Sequence, residues 1–119
     1  TPKFRPVQTL PQDKSVVYVY RPSRMLGGLV PITLSLDGQK VVNIWSGDYQ
    51  TLVVNPGEHF LVPYGDHEAK QRTAFVGISG QESYVKVEPA FGGPKITAVT
   101  SDVGKREIAD CNVPDGADK

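Results

Sequence analysis

The twenty residues 45–64, Trp-Ser-Gly-Asp-Tyr-Gln-Thr-Leu-Val-Val-Asn-Pro-Gly-Glu-His-Phe-Leu-Val-Pro-Tyr, restrict the possible folds more than any other stretch. Two runs rich in β-branched and aromatic residues are separated by Asn55-Pro56-Gly57. Pro56 presets its own φ, and Gly57 supplies the positive φ that a type II turn requires at its second central position. This predicts a strand running into a tight turn and a second strand leaving it. In the second run Phe60, Val62 and Tyr64 fall on one face and His59 and Leu61 on the other.

The same signature recurs along the chain. Residues 15–21, Ser-Val-Val-Tyr-Val-Tyr-Arg, put Val17 and Val19 on one face and Val16, Tyr18 and Tyr20 on the other. Both faces are apolar, which predicts a central strand. Residues 30–37 alternate Val30, Ile32, Leu34 and Leu36 against Pro31, Thr33, Ser35 and Asp37, the pattern of a strand wet on one side. Asp37-Gly38 then signals a two-residue hairpin into residues 41–45, because both central positions of a type I′ turn need positive φ. Residues 73–79 and 83–88 flank Gly80-Gln81-Glu82 and read as a second hairpin, and residues 95–100 as a last strand. Residues 102–112 read as a short helix capped by Asp102, with Ile108 and Cys111 turned inward and Gly104 as its weak point.

The expected fold is therefore all-β: an antiparallel two-sheet β-sandwich of immunoglobulin-like or related topology, with one short C-terminal helix and a small barrel as its competitor. Residues 1–14, which hold three prolines, read as an extended linker or tether. Residues 15–112 form the sandwich domain, and residues 113–119 a flexible tail. A single domain of 119 residues buries roughly 65% of its unfolded surface, enough for a core without a metal or disulfide staple.

Charge and chemistry narrow the function by exclusion. Lys plus Arg and Asp plus Glu each number 13, so the net charge is zero and counterion release gives no drive onto nucleic acid. The single Cys111 reads as a small buried hydrophobe, since no His or Cys partner lies near it in sequence. His59 and His67, the latter beside Asp66 and Glu68, match no tight zinc spacing, so no metal and no cofactor is expected. No Gly-x-Ser-x-Gly elbow occurs, no triad can be nominated, and Gly27-Gly28 and Gly92-Gly93 stand between strands, where they read as turns and not as phosphate cradles. A small hydrolase is the third reading, behind two kinds of binding module. Arg21, Arg24, Lys70 and Arg72 read as a solvated rim. Trp45, Tyr49 and Tyr64 could stack on sugar rings, although cross-strand core packing accounts for the same residues. Lys14, Lys40, Asp48, Asn55 and Glu58 raise a remote idea, an intramolecular Lys-Asn isopeptide bond, which would need a buried carboxylate beside the pair.

Four segments together carry a resemblance: residues 16–24, Val-Val-Tyr-Val-Tyr-Arg-Pro-Ser-Arg; residues 36–42, Leu-Asp-Gly-Gln-Lys-Val-Val; Gly47-Asp48-Tyr49; and residues 56–61, Pro-Gly-Glu-His-Phe-Leu. In these the chain resembles the DUF2846 family of uncharacterised bacterial proteins, and its Gly-x-Tyr and Pro-Gly-x-His elements are similar to PEGA-type surface modules. The resemblance covers about the first half of the chain. It implies the soluble part of a lipoprotein in the periplasm or outer membrane, held to the membrane only by an N-terminal lipid that this chain does not contain. A first residue of Thr1 in place of Met fits the prior removal of a leader. The expectation is a non-enzymatic envelope module that binds a protein or an envelope glycan, through a sheet edge or the loop after Arg21. Its expected interaction surface is Arg21, Ser23, Arg24, Trp45, Tyr49 and Tyr64.

Overall fold

A computed structural model of the chain describes residues 2–23, 30–65 and 72–113. In chain order these form β1 Ser15–Tyr20, β2 Ile32–Leu36, β3 Lys40–Ile44, β4 Tyr49–Val54, β5 Gly57–Pro63, β6 Thr73–Gly77, β7 Glu82–Glu88, β8 Lys95–Val99 and α1 Ser101–Ile108. The strands make two four-stranded sheets, sheet A in the order β4-β1-β7-β8 and sheet B in the order β3-β2-β5-β6. The predicted two-sheet sandwich and short C-terminal helix are both present.

Pairing differs from expectation in three places. First, β4 and β5 do not pair: β4 runs beside β1 from Ser15↔Val54 to Tyr20↔Tyr49, while β5 runs between β2 and β6. The Asn55-Pro56 turn therefore carries the chain from one sheet to the other. Second, β6 and β7 also lie in different sheets, so residues 78–81 make another crossing and not a hairpin. A bend fixes only the local reversal, and the partners decide whether the flanking strands share a sheet. Third, β1 and β7 pair in parallel, which makes sheet A mixed. The β2–β3 hairpin is present, with Asp37 at φ 53° and Gly38 at φ 71° as the turn requires, but the pairing Leu36↔Lys40 leaves three residues, 37–39, in the loop where two were predicted.

The parallel pair goes with burial on both faces of sheet A, since every residue of β1 is inaccessible. On the inner face Val17, Val19, Leu52 and Val85 pack against Leu34, Ile44, Leu61 and Phe75 of sheet B. On the outer face Val16, Tyr18, Tyr20, Tyr49 and Tyr84 form a second core beneath Ile108, Cys111 and Val113. Burial of such apolar side chains stabilises the fold by about 1.5–3 kcal/mol each.

Residues 2–14 complete that outer layer. Phe4, Val7 and Leu10 pack against the second core, and the Phe4 ring meets Tyr18 and Tyr49 edge-on at centroid distances of 5.0 and 4.8 Å. The phenol oxygens in this apolar layer need partners. Val7 N–H donates to Tyr18 Oη at 2.9 Å and Arg5 N–H to Tyr49 Oη at 3.2 Å. The segment read as a tether is thus laid along the sheet. Val113, assigned to the flexible tail, is buried and donates to the Pro2 carbonyl at 2.8 Å. Residues 114–119 lie outside the described residues.

The cap of helix α1 lies two residues before the predicted one. Thr100 is the N-cap, its Oγ1 accepting from Val103 N–H at 3.3 Å, and Asp102 sits in the first turn, where its charge favours the helix dipole.

Candidate functional site: the loop end of the sandwich

Strand directions give the molecule two unlike ends. β1, β3, β5 and β7 run toward one end, and the other four strands run back from it. The short β2–β3, β4–β5 and β6–β7 links close one end. The β1–β2, β3–β4, β5–β6 and β7–β8 connections leave from the other. Five of the six residues predicted as an interaction surface, Arg21, Ser23, Trp45, Tyr49 and Tyr64, belong to the loop end.

The structure divides them between a buried base and an exposed rim. Arg21 is only 1% exposed, a correction to its place on the predicted surface. Its Nη1 donates to the Val30 carbonyl at 2.9 Å and the Ile44 carbonyl at 3.0 Å, so it ties the end of β1 to the chain on either side of the β2–β3 hairpin. Burial pulls the guanidinium pKa down and the nearby Asp48 carboxylate opposes that shift. The backbone repeats the tie: Arg21 N–H donates to the Asp48 carbonyl at 2.9 Å, and Gly47 N–H to the Arg21 carbonyl at 2.8 Å. Gly47 makes this turn with φ 79°. Tyr49 is the second correction: it is buried in the second core under Phe4, on the outer face of sheet A, and cannot share a sugar-stacking platform with Trp45.

Above this base stand Trp45 at 48% exposure, Tyr64 at 64% and the exposed Ser23. Trp45 follows β3 and Tyr64 follows β5, strands separated in sheet B by β2, with Tyr64 N–H donating to the Thr33 carbonyl at 2.9 Å. Two strand spacings of about 4.8 Å therefore separate the two strands that carry the rings. Arg24 lies outside the described residues, as do His67, Asp66, Glu68 and Lys70.

Phe91, in the β7–β8 connection, was missed by sequence reasoning and is fully exposed. Residues 89–94, Pro-Ala-Phe-Gly-Gly-Pro, read only as a break between strands. The available signal was a lone aromatic among residues that cannot bury it, with Gly92 and Gly93 turning the chain at φ 83° and 122°. Beside Phe91 a concavity of about 350 Å³ is lined by Thr73, Pro94, Lys95 and Ile96 among others.

The remaining candidates are divided between the two ends. Arg72, read as part of a basic rim, lies over the Phe60 ring at 4.4 Å. Lys14 and Asn55 do meet, with Nζ donating to Oδ1 at 2.5 Å, but the contact is exposed, whereas an isopeptide bond would need the pair buried beside a carboxylate. Among the described residues, no three His, Cys, Asp or Glu side chains are grouped to hold a metal ion. Two edge carbonyls are bridged between sheets: Gln50 Nε2 donates to the Asn43 carbonyl at 3.0 Å and Thr73 Oγ1 to the Ile96 carbonyl at 2.9 Å.

No family model matches the chain, and no curated protein or solved structure matches it.

Proposed function

We propose that the protein is a non-enzymatic binding module of the bacterial cell envelope that engages its partner through the loop end of the sandwich. One observation carries this reading. Exposed Trp45, Tyr64 and Phe91 come from three different connections that leave the same end, where buried Arg21 braces the chain beside β2 and β3. Exposed aromatics on rigid supports are the side chains that supply most binding energy at interfaces. The bridging of the Asn43 and Ile96 carbonyls favours the loop end over edge pairing. Placement in the envelope, as the soluble part of a lipoprotein, rests on the residues that resemble DUF2846 proteins.

A glycan partner is the second reading, favoured by Trp45 and Tyr64 on the same sheet with polar Thr33 and Asn43 between them, the latter two hydrogen-bonded at 2.6 Å. Tyr49 has no part in it.

Trp45 is the only tryptophan, so its fluorescence reports this end directly. Titration with purified peptidoglycan fragments and with envelope protein fractions is expected to shift its emission and to shield it from acrylamide, and Phe91→Ser is expected to weaken the response. Binding seen by sedimentation with no change at Trp45, and none on Phe91→Ser, would remove the loop end as the site.

A further inference from the structure

The opposite end carries an assembly that the binding reading does not use. His59 of β5 is largely buried, with its side chain 13% exposed, and its ring stacks on Phe75 of β6 at 5.5 Å between centroids and 28° between planes. Its Nδ1 lies 2.6 Å from Asp37 Oδ2 in the β2–β3 turn, and its Nε2 lies 2.6 Å from the Asn55 carbonyl oxygen in the β4–β5 link. Asp37 Oδ1 accepts from Phe60 N–H at 2.8 Å, which fixes the carboxylate.

Both ring nitrogens therefore face acceptors. A neutral imidazole has one N–H and one lone pair, so it can satisfy one partner while turning a lone pair on the other. Only the imidazolium donates to both. We propose that Asp37, His59 and Asn55 form a proton-gated clasp, which locks the β2–β3 turn to the β4–β5 link when the ring carries two protons and releases one of them when it carries one. Because the β4–β5 link crosses between sheets, the clasp holds sheet A to sheet B at this end.

The charges around the ring agree. From the β2–β3 turn Asp37 faces it with a carboxylate; from β6 comes only the apolar Phe75; from the start of β1 Lys14 reaches Asn55 Oδ1 and not the ring; and Glu58, next along β5, points to the opposite sheet face. Burial pushes the His59 pKa down, but the Asn55 carbonyl, the Asp37 hydrogen bond and the Asp37 charge together leave it above its ordinary value. The folded-state value thus exceeds that of the unfolded chain. The stabilisation is complete below the unfolded pKa of about 6.5 and is lost as pH rises through the folded value.

The test is nitrogen-detected NMR of the ring in the full chain, with His67→Gln leaving His59 as the only histidine. Both ring nitrogens are expected to be protonated at pH of about 6.5, with a titration midpoint above that value. A single neutral tautomer at that pH, or a midpoint at or below it, would overturn the clasp. Urea midpoints between pH of about 6 and 8.5 give a second arm: the parent should weaken with rising pH and His59→Gln should lose that difference, whereas an unchanged difference would also overturn it. If His59→Gln does not fold, Asp37→Asn should lower the ring's midpoint, and an unmoved midpoint counts against the proposal. Neither readout involves the loop end, so failure here leaves the binding reading standing, and the reverse holds as well.

Discussion

Gly104 of α1 lies directly against the ring of Tyr84 in β7, and a methyl group built on Gly104 would overlap Tyr84 Cβ and Cγ and stand 2.7 Å from Cδ2. The residue that weakens the helix by its local propensity is what lets the helix lie on sheet A.

Gly104→Ala should therefore destabilise the protein despite the better helix former. The propensity gain is at most about 1 kcal/mol, while forcing a methyl into a filled site costs roughly 1–3 kcal/mol. A lower urea midpoint is expected, together with little effect from Lys105→Ala on the exposed face of the same helix. A stabilised Gly104→Ala would mean that the helix sits farther from Tyr84.

Arg21→Ala removes a buried cation and leaves the Val30 and Ile44 carbonyls without its Nη1. Hydrogen bonds to charged groups are worth about 1.5–3 kcal/mol, so a loss of at least that size is expected in chemical denaturation. Arg21→Lys should recover only part of it, because one ammonium does not reproduce the planar fork. Full recovery with lysine would show that charge alone matters at this position.

Acid sensitivity should trace in part to Glu107. Its carboxylate accepts from Tyr20 Oη at 2.5 Å and from Lys86 Nζ at 3.0 Å, and the Tyr20 hydrogen bond, followed by Lys86, holds its pKa below the ordinary range despite some burial. A depressed folded-state pKa adds stability that is present above the unfolded value of about 4.3 and is lost as pH falls through the folded value. Tyr20→Phe should raise the Glu107 pKa, read by carboxyl NMR, and shrink the loss of stability between neutral and acid pH. An unmoved Glu107 titration would exclude the contact as its cause.

Cys111 is 2% exposed, and burial pushes its thiol pKa up to about 11. Thiolate is the reactive form, so at pH of about 8 the native protein should react with a disulfide reagent roughly a hundredfold more slowly than free cysteine. Denaturation in urea should restore ordinary reactivity. Fast labelling of the native protein would contradict the packing of the outer layer over Tyr20 and Ile108.

The two-sheet class, the strand positions and the Asp37-Gly38 hairpin were legible because they depend on period-2 alternation and on φ preferences, both of which are local. The faces of β1 were legible for the same reason, and double-sided burial follows from having no polar face to turn to water. The sorting of strands into sheets was not legible. Residues 55–56 and 78–81 reverse the chain whether the next strand pairs with the last one or crosses to the other sheet.

Burial of single polar or aromatic side chains was equally hidden. Arg21 and Trp45 both follow strong strand runs, yet one ends inside and the other outside, because the carbonyls that hold Arg21 come from residues 9 and 23 positions away. Tyr49 and Tyr64 differ because the N-terminal segment covers the outer face of sheet A and leaves the outer side of sheet B at Tyr64 open. His59 shows the same limit, since its two acceptors converge only once the β2–β3 turn and the β4–β5 link meet at one end. Local backbone preference and side-chain alternation set the elements of this protein; long-range pairing, which decides which water is excluded from which side chain, set the site.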